Sequence, residues 1–381
     1  MKFNITLKTR FQLIYTTCLI CSLLVVQGCA TKNELTVSRV DPSMGRRMQM
    51  ALDAAVAEYK VPGAIFALRD MNGDARIWTS GRADLETGEP MSKDLYFAIG
   101  SVTKSYTATM VLQLVDDGLV KLDGPIGTYL PGLVPRENDI TIRHLLGMRS
   151  GLGDYGTNPE FAKFLETDPL RVFTPEQLVK LSLDKTGEPD REFRYTNANY
   201  ILLGMLIEKV TNNSLQDEMK RRILQPLGMS HTFMLMEMKM PTPYARGYYY
   251  EEGKVGDGTY LSHPSVTWTA GGIVSTVADQ LIWAKALVEG QLLSPRSHSE
   301  QFTMKPAPSK KNFDYGLGVV NLNGLLGHGG NLNNCYTAFV GRYHGYDVVI
   351  LVNGQAGAAD GETWSDRAGD VLKKVIKETG L

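Results

Sequence analysis

Cysteine is scarce in this chain, four among 381 residues, and neither charge sign is in excess, with 40 Lys plus Arg against 41 Asp plus Glu. The charge balance leaves no basic surplus to grip a phosphate backbone and no acidic block of the solvating kind, so nucleic acid is excluded as a partner. No run of apolar residues is long enough to cross a bilayer comfortably; the apolar stretch 18–26 spans only nine residues, one of them Ser22. Several chemistry-bearing patterns are also missing. There is no Gly-x-Ser-x-Gly elbow, no Gly-x-x-x-x-Gly-Lys phosphate loop, no His-Glu-x-x-His pair and no close Cys or His cluster among the six histidines. Metal and nucleotide chemistry lose their support, and no metal and no cofactor is expected. No fixed-period repeat and no low-complexity segment occurs. What is present is 43% apolar and 21% charged residues with 38 Gly and 17 Pro, the composition of an enzyme-sized globule with ample core.

The first residues read as an export signal. Lys2, Lys8 and Arg10 form a positive head, and the apolar run 18–26 ends at Val26-Gln27-Gly28-Cys29. A small residue directly before a cysteine resembles the lipobox of bacterial lipoproteins, which implies cleavage after Gly28 (signal 1–28) and lipidation of Cys29. An ordinary signal peptide or an uncleaved anchor is the bland alternative. Ala30 gives no inner-membrane retention signal of the aspartate kind, so the expected place is an exported, membrane-anchored lipoprotein facing the periplasm or cell exterior. Cleavage removes three basic and no acidic residues, so the conclusion about nucleic acid stands. Cys335 is then left without a partner, and burial rather than disulfides must hold the fold. Its apolar and aromatic neighbours mark it as a packing group rather than a nucleophile.

The segment 29–45 reads as a polar, lipid-anchored tether, and 46–378 as the main folded domain. Apolar residues at Met48, Ala51, Leu52, Ala55, Val56 and Tyr59 fall on one helical face, closed by Pro62-Gly63. Stretches 64–69 and 75–80 around Asn72-Gly73 predict a β-hairpin. Strands are predicted again at 316–322, 335–342 and 347–352, with turns at Asn323-Gly324 and His344-Gly345, and a last helix over 363–377. Helices at 106–115, 175–183, 200–210 and 278–288 lie between these ends. The expected fold is α+β: a mostly antiparallel sheet formed by both chain ends, flanked by helices, with an inserted mainly helical subdomain over roughly 118–310.

Ser101-Val102-Thr103-Lys104 stands directly before the helix expected from Tyr106. Serine and lysine three apart share a helix face. A serine hydroxyl is a poor nucleophile until its proton is removed, and a desolvated, neutral amine beside it can take that proton. The helix N-terminus adds amides and a dipole that favour negative charge at the reacting centre. The pattern alone is weak, because Ser182-Leu183-Asp184-Lys185 fits it too; that copy falls at a helix end of the wrong polarity and is read as two surface residues. Tyr195-Thr196-Asn197 precedes the next helix, where a phenol could relay a proton and an amide could orient the lysine or a substrate carbonyl. Taken alone it is equally a capped helix start. Gly327-His328-Gly329-Gly330-Asn331 lies just before the strand near Cys335, where glycines would let a substrate backbone approach and the histidine would place a titratable donor at the rim.

In this order the three elements resemble the serine β-lactamase and penicillin-binding protein superfamily, in the branch of class C β-lactamases, DD-carboxypeptidases and family VIII esterases. Phe97-Ala98-Ile99-Gly100, Ile140 to Leu146 with Ser150-Gly151-Leu152, and Ala270-Gly271-Gly272 with Ser275 carry the same likeness, which runs from about Arg46 to Lys377. Lys185-Thr186-Gly187 imitates the third motif but lies before Tyr195, on the wrong side of it. The resemblance implies acyl transfer through a covalent intermediate on Ser101, with Lys104 and Tyr195 managing its proton and Asn197 orienting substrate and lysine. His328 is expected beside the scissile bond, and the backbone amides of Ser101 and Asn331 are expected to hold the oxyanion beside Gly329 and Gly330. The substrate is expected to be a small-molecule or peptidoglycan-like acyl compound, of the β-lactam or D-alanyl-peptide kind. A histidine at the third motif, followed by Gly329 and Asn331, leaves two alternatives open: a family VIII-type carboxylesterase, and a non-catalytic membrane-tethered penicillin-binding sensor.

Overall fold

The two-residue Asn-Gly signals shape the sheet. In the computed structural model, which describes residues 42–251, 254–307, 312–355 and 367–381, strand β1 (Gly63–Arg69) turns at Asn72-Gly73 into β2 (Ala75–Gly81) in antiparallel register. The closing third adds β3 (Lys305–Pro306), β4 (Phe313–Tyr315), β5 (Val320–Leu322), β6 (Leu325–Leu332), β7 (Tyr336–Tyr343) and β8 (Tyr346–Val352). Asn323-Gly324 and His344-Gly345 join β5 to β6 and β7 to β8, each pair at positive φ, the geometry that matches strand twist in tight hairpins. The eight strands run in the order β2-β1-β8-β7-β6-β5-β4-β3, so the chain ends close the sheet through pairs such as Ala64 with Val352. Cleavage at Gly28, the Cys29 anchor and the tether up to residue 41 lie outside the described residues.

Strand β8 is buried at every position from Asp347 to Val352. Because side chains alternate faces, such a strand must be covered on both sides. Helices α1 (Pro42–Glu58) and α5 (Arg367–Thr379) pack together, α1 over β2 and β1 and α5 over β8 and β7, and α4 (Val277–Glu289) packs across β7, β8 and β1. The helical face read from the sequence is the buried one: Met48, Ala51, Leu52, Ala55 and Val56. Each larger side chain so removed from water is worth about 1.5 to 3 kcal/mol. Helix α1 starts four residues before the expected Arg46, and the Gly45 carbonyl accepts from Trp78 Nε1 at 3.1 Å, so part of the supposed tether docks on the sheet.

Between Gly81 and Lys305 the chain supplies α2 (Thr103–Asp116), α3 (Asn197–Thr211), shorter helices and a small sheet that joins Phe97–Ala98, Ile273–Ser275 and Phe233–Met234. Helix α2 is buried from Thr103 to Leu112, held between the sheet and α3. On its far side Tyr106 stacks on Trp283 at 3.8 Å, and Trp283 Nε1 donates to Ser105 Oγ at 2.9 Å. Two strand expectations are corrected. Residues 316–322 do not form one strand; Gly318, at φ +73, bends the chain where a Cβ would lie 2.4 Å from that of Ala108. The glycine-rich stretch 327–331 is not a turn before a strand but the body of β6, because ladders with β5 and β7 impose the strand that glycine propensity disfavours. Among the described residues, no helix is long and apolar enough to cross a membrane.

Candidate active site

Ser101 sits on a single tight turn, Gly100–Val102, that feeds α2. Gly100 stands at φ +52, and a Cβ there would come within 2.7 Å of the Asn331 backbone. Only glycine tolerates both demands. From the other side, a Cβ on Gly330 would lie 1.9 Å from the Ile99 carbonyl oxygen and 3.1 Å from the Ser101 amide nitrogen. Helix start and strand are thus in backbone contact. Strand β5 pairs with β6 only as far as Gly327, so among the described residues the edge from His328 to Leu332 carries no strand beyond it.

At the start of α2, one turn beyond Ser101, Lys104 is fully buried. Its Nζ lies 3.0 Å from Ser101 Oγ, 2.8 Å from Asn197 Oδ1 and 2.7 Å from the Ala270 carbonyl oxygen. A neutral amine has two N–H donors and one lone pair. Asn197 Oδ1 and the Ala270 carbonyl can only accept and take the two protons, which leaves the lone pair for the serine hydroxyl. Burial pulls the Lys104 pKa down to about 7, with the Asp154 charge opposing it. The rings of Tyr195 and Tyr200 lie 4.9 and 5.6 Å from Nζ. The Tyr195 hydroxyl is set against Ser101, and burial holds its pKa well above the ordinary phenol value. At neutral pH the tyrosine can therefore donate or relay a proton, and the lysine in its neutral form can accept one.

Asn197 opens α3. Thr196 caps that helix, accepting from Ala198 N–H and donating to the Gly153 carbonyl at 2.6 Å. The motif is a capped helix start and at the same time brings Asn197 Oδ1 to Lys104.

His328 is in the cluster but not at the rim. Its ring has no exposed surface. Nδ1 lies 2.5 Å from the Gly329 carbonyl oxygen, an acceptor, so Nδ1 carries the proton and Nε2 accepts from Tyr315 Oη at 3.1 Å. Burial, then the nearby Lys104 charge, push its pKa down to about 3. It stays neutral where a rim donor would titrate. Gly329 is half-buried and the Asn331 side chain is exposed, exchanging bonds with Asn334.

The second Ser-x-x-Lys copy is corrected in part. Lys185 is exposed, but Ser182 is fully buried, donating to the Leu178 carbonyl while its own carbonyl accepts from Gly153 N–H. Cys335 is buried as expected, its thiol pushed up to about 12. The sequence did not single out three contributors: Asp154, the Ala270 carbonyl and Tyr315. Backbone acceptors leave no trace in residue identity, and Asp154 belongs to no motif of its own. A cavity of about 30 Å3, room for about one water, lies beside Gly271 and is lined by neither Ser101 nor Lys104. Ala98, Leu235, Met238, Tyr260, Ile273 and Leu332 line it, and no Asp, Glu, Lys or Arg does.

The same chain pattern occurs in known proteins. A profile of the Beta-lactamase family matches residues 48–373. The chain is 26% identical to penicillin-binding protein 4* of Bacillus subtilis (strain 168), over 81% of this chain and 71% of that protein. It is 32% identical to esterase EstB of Burkholderia gladioli, over 51% of this chain and 55% of that one, so it spans only about half of that relative's length. Among solved structures, the D-amino acid amidase of Ochrobactrum anthropi SV3 superposes with a TM-score of 0.79 at 30% identity, covering 89% of this chain and 99% of the amidase. A family match over most of the chain, on a fold shared with these structures, places this protein in the β-lactamase family, within the serine β-lactamase and penicillin-binding protein superfamily of serine hydrolases.

Proposed function

We propose that this protein is an exported, lipid-anchored hydrolase that opens an amide or ester carbonyl through an acyl-enzyme on Ser101, of the β-lactam or D-alanyl-peptide type. The observation that carries the reading is the 3.0 Å contact between the Ser101 hydroxyl and a buried Lys104 amine whose pKa lies at about 7. Neutral Lys104 takes the serine proton as Oγ attacks the carbonyl carbon. The amides of Ser101 and Asn331, the pair that the family resemblance points to, hold the oxyanion; such donors contribute about 3 to 4 kcal/mol each. Tyr195 passes the proton to the leaving group, and water reverses the sequence to release the acyl group. Similarity to a penicillin-binding protein and to a D-amino acid amidase supports the amide reading. Similarity to esterase EstB favours a second reading, a carboxylesterase.

Intact-mass detection of adducts and turnover across penicillins, D-alanyl peptides and p-nitrophenyl butyrate decides between them. Release of D-alanine or D-amino acid supports the first; butyrate turnover without it supports the second; stable acylation without turnover fits a sensor and contradicts both. The anchor is tested in the same cells by labelled-palmitate incorporation, which Cys29→Ser should abolish along with membrane fractionation; a Cys29→Ser chain that still takes up label refutes it.

A further inference from the structure

Asn197 presents Oδ1 to Lys104, yet an asparagine amide can turn over and present its NH2 instead. The turned amide would set a donor against the lysine and leave Nζ one acceptor short. The choice is made on the far side of the amide. Asp154 Oδ2 receives both the Asn197 backbone N–H at 3.0 Å and its Nδ2–H at 3.2 Å. An ionised carboxylate is acceptor-only, so the nitrogen end must face it.

We propose that Asp154 is a positioning residue of this hydrolase, holding the Asn197 amide with its oxygen on Lys104 so that the lysine lone pair is left for Ser101. The proposal rests on Ser101 being the nucleophile. Asp154 is itself held: Oδ1 accepts from Gly156 N–H at 2.8 Å, and the segment before it is tied down by Ser150 Oγ donating to Asn199 Oδ1 at 2.6 Å. Its charge also acts on the amine, favouring the protonated form. The other titratable groups around Lys104 are the phenols of Tyr195 and Tyr200 from the α3 side and His328 from β6; the helix Trp268–Gly271 contributes only the Ala270 carbonyl. Two roles follow for Asp154, orientation and field, and two substitutions separate them. Asp154→Asn can keep an oxygen where the two Asn197 donors converge, at the loss of one turn bond to Gly156, but carries no charge. Asp154→Ala removes both roles.

The test is the rate at which a fluorophosphonate modifies Ser101 in the full-length chain as a function of pH, with Ser101→Ala as blank and the adduct located by peptide mass. Asp154→Ala should slow modification about ten- to a hundredfold at every pH, the scale of a misplaced catalytic group. Asp154→Asn should retain more of the rate, and its acid limb should move to lower pH, because the lysine then loses its proton more readily. A merely structural role would lower both rates alike and leave the limb in place, which overturns the proposal, as does a wild-type rate and limb in both variants. Should the alanine variant not fold, the limb of the asparagine variant decides alone. A wild-type adduct anywhere but Ser101 refutes the nucleophile reading and this proposal with it; an adduct on Ser101 with an unmoved limb refutes only the role of Asp154.

Discussion

At the scale of single residues, the proposed chemistry rests on a lysine kept where charge is disfavoured. In the unfolded chain Lys104 holds its proton up to the ordinary lysine range, whereas the folded site releases it at about 7. Between those values the unfolded state binds more protons, so folding gains stability as pH rises from 7. Lys104→Met has no such proton to lose. The stability gap between wild type and Lys104→Met should therefore shift toward the wild type by about 2 kcal/mol between pH 7 and pH 9. Urea denaturation at the two pH values measures it, and parallel changes in the two proteins would mean that the amine titrates normally. His328 differs from what its place in the third motif implied. Bonded to Tyr315 and the Gly329 carbonyl, and neutral to about pH 3, it shapes the wall behind Lys104 rather than exchanging protons near pH 6.5.

At the scale of elements, the site is the meeting of one helix start and one bare strand edge. Gly330 allows it, since a side chain there would push into the Ile99 carbonyl and the Ser101 amide. Gly330→Ala should separate β6 from the nucleophile turn, cutting acylation by at least about a hundredfold and stability by about 1 to 3 kcal/mol. Ester hydrolysis and thermal melts report the two effects, and an active, unshifted variant would contradict the contact. Much of this was legible beforehand. Ser101, Lys104, Tyr195 and Asn197 were readable because spacing and motif order are sequence properties, and the hairpins because Asn-Gly and His-Gly supply the positive φ that those turns need. Strand β6 was not, since five residues with three glycines form a strand only when neighbours impose it. Asp154 and the Ala270 carbonyl were not, because what they do depends on distances between segments far apart in the chain. Ser182 was misplaced because a helix end that looked exposed tucks beneath Gly153.

At the scale of the whole molecule, both chain ends build a sheet whose central strand is covered on both faces, and the residues between them carry the amide, the carboxylate and the backbone acceptor to the serine. The rigid sheet fixes β6, and the buried α2 fixes Ser101 and Lys104 against it. The measurement that bears most directly on the account is the pH dependence of single-turnover acylation by a p-nitrophenyl ester, with the acylated peptide identified. The account predicts an acyl group on Ser101 and a rate that rises with pH to a plateau, with its midpoint near 7. Acylation at another residue, or on Ser101 with a rate that climbs unbroken toward pH 10, would show that Lys104 is not the base.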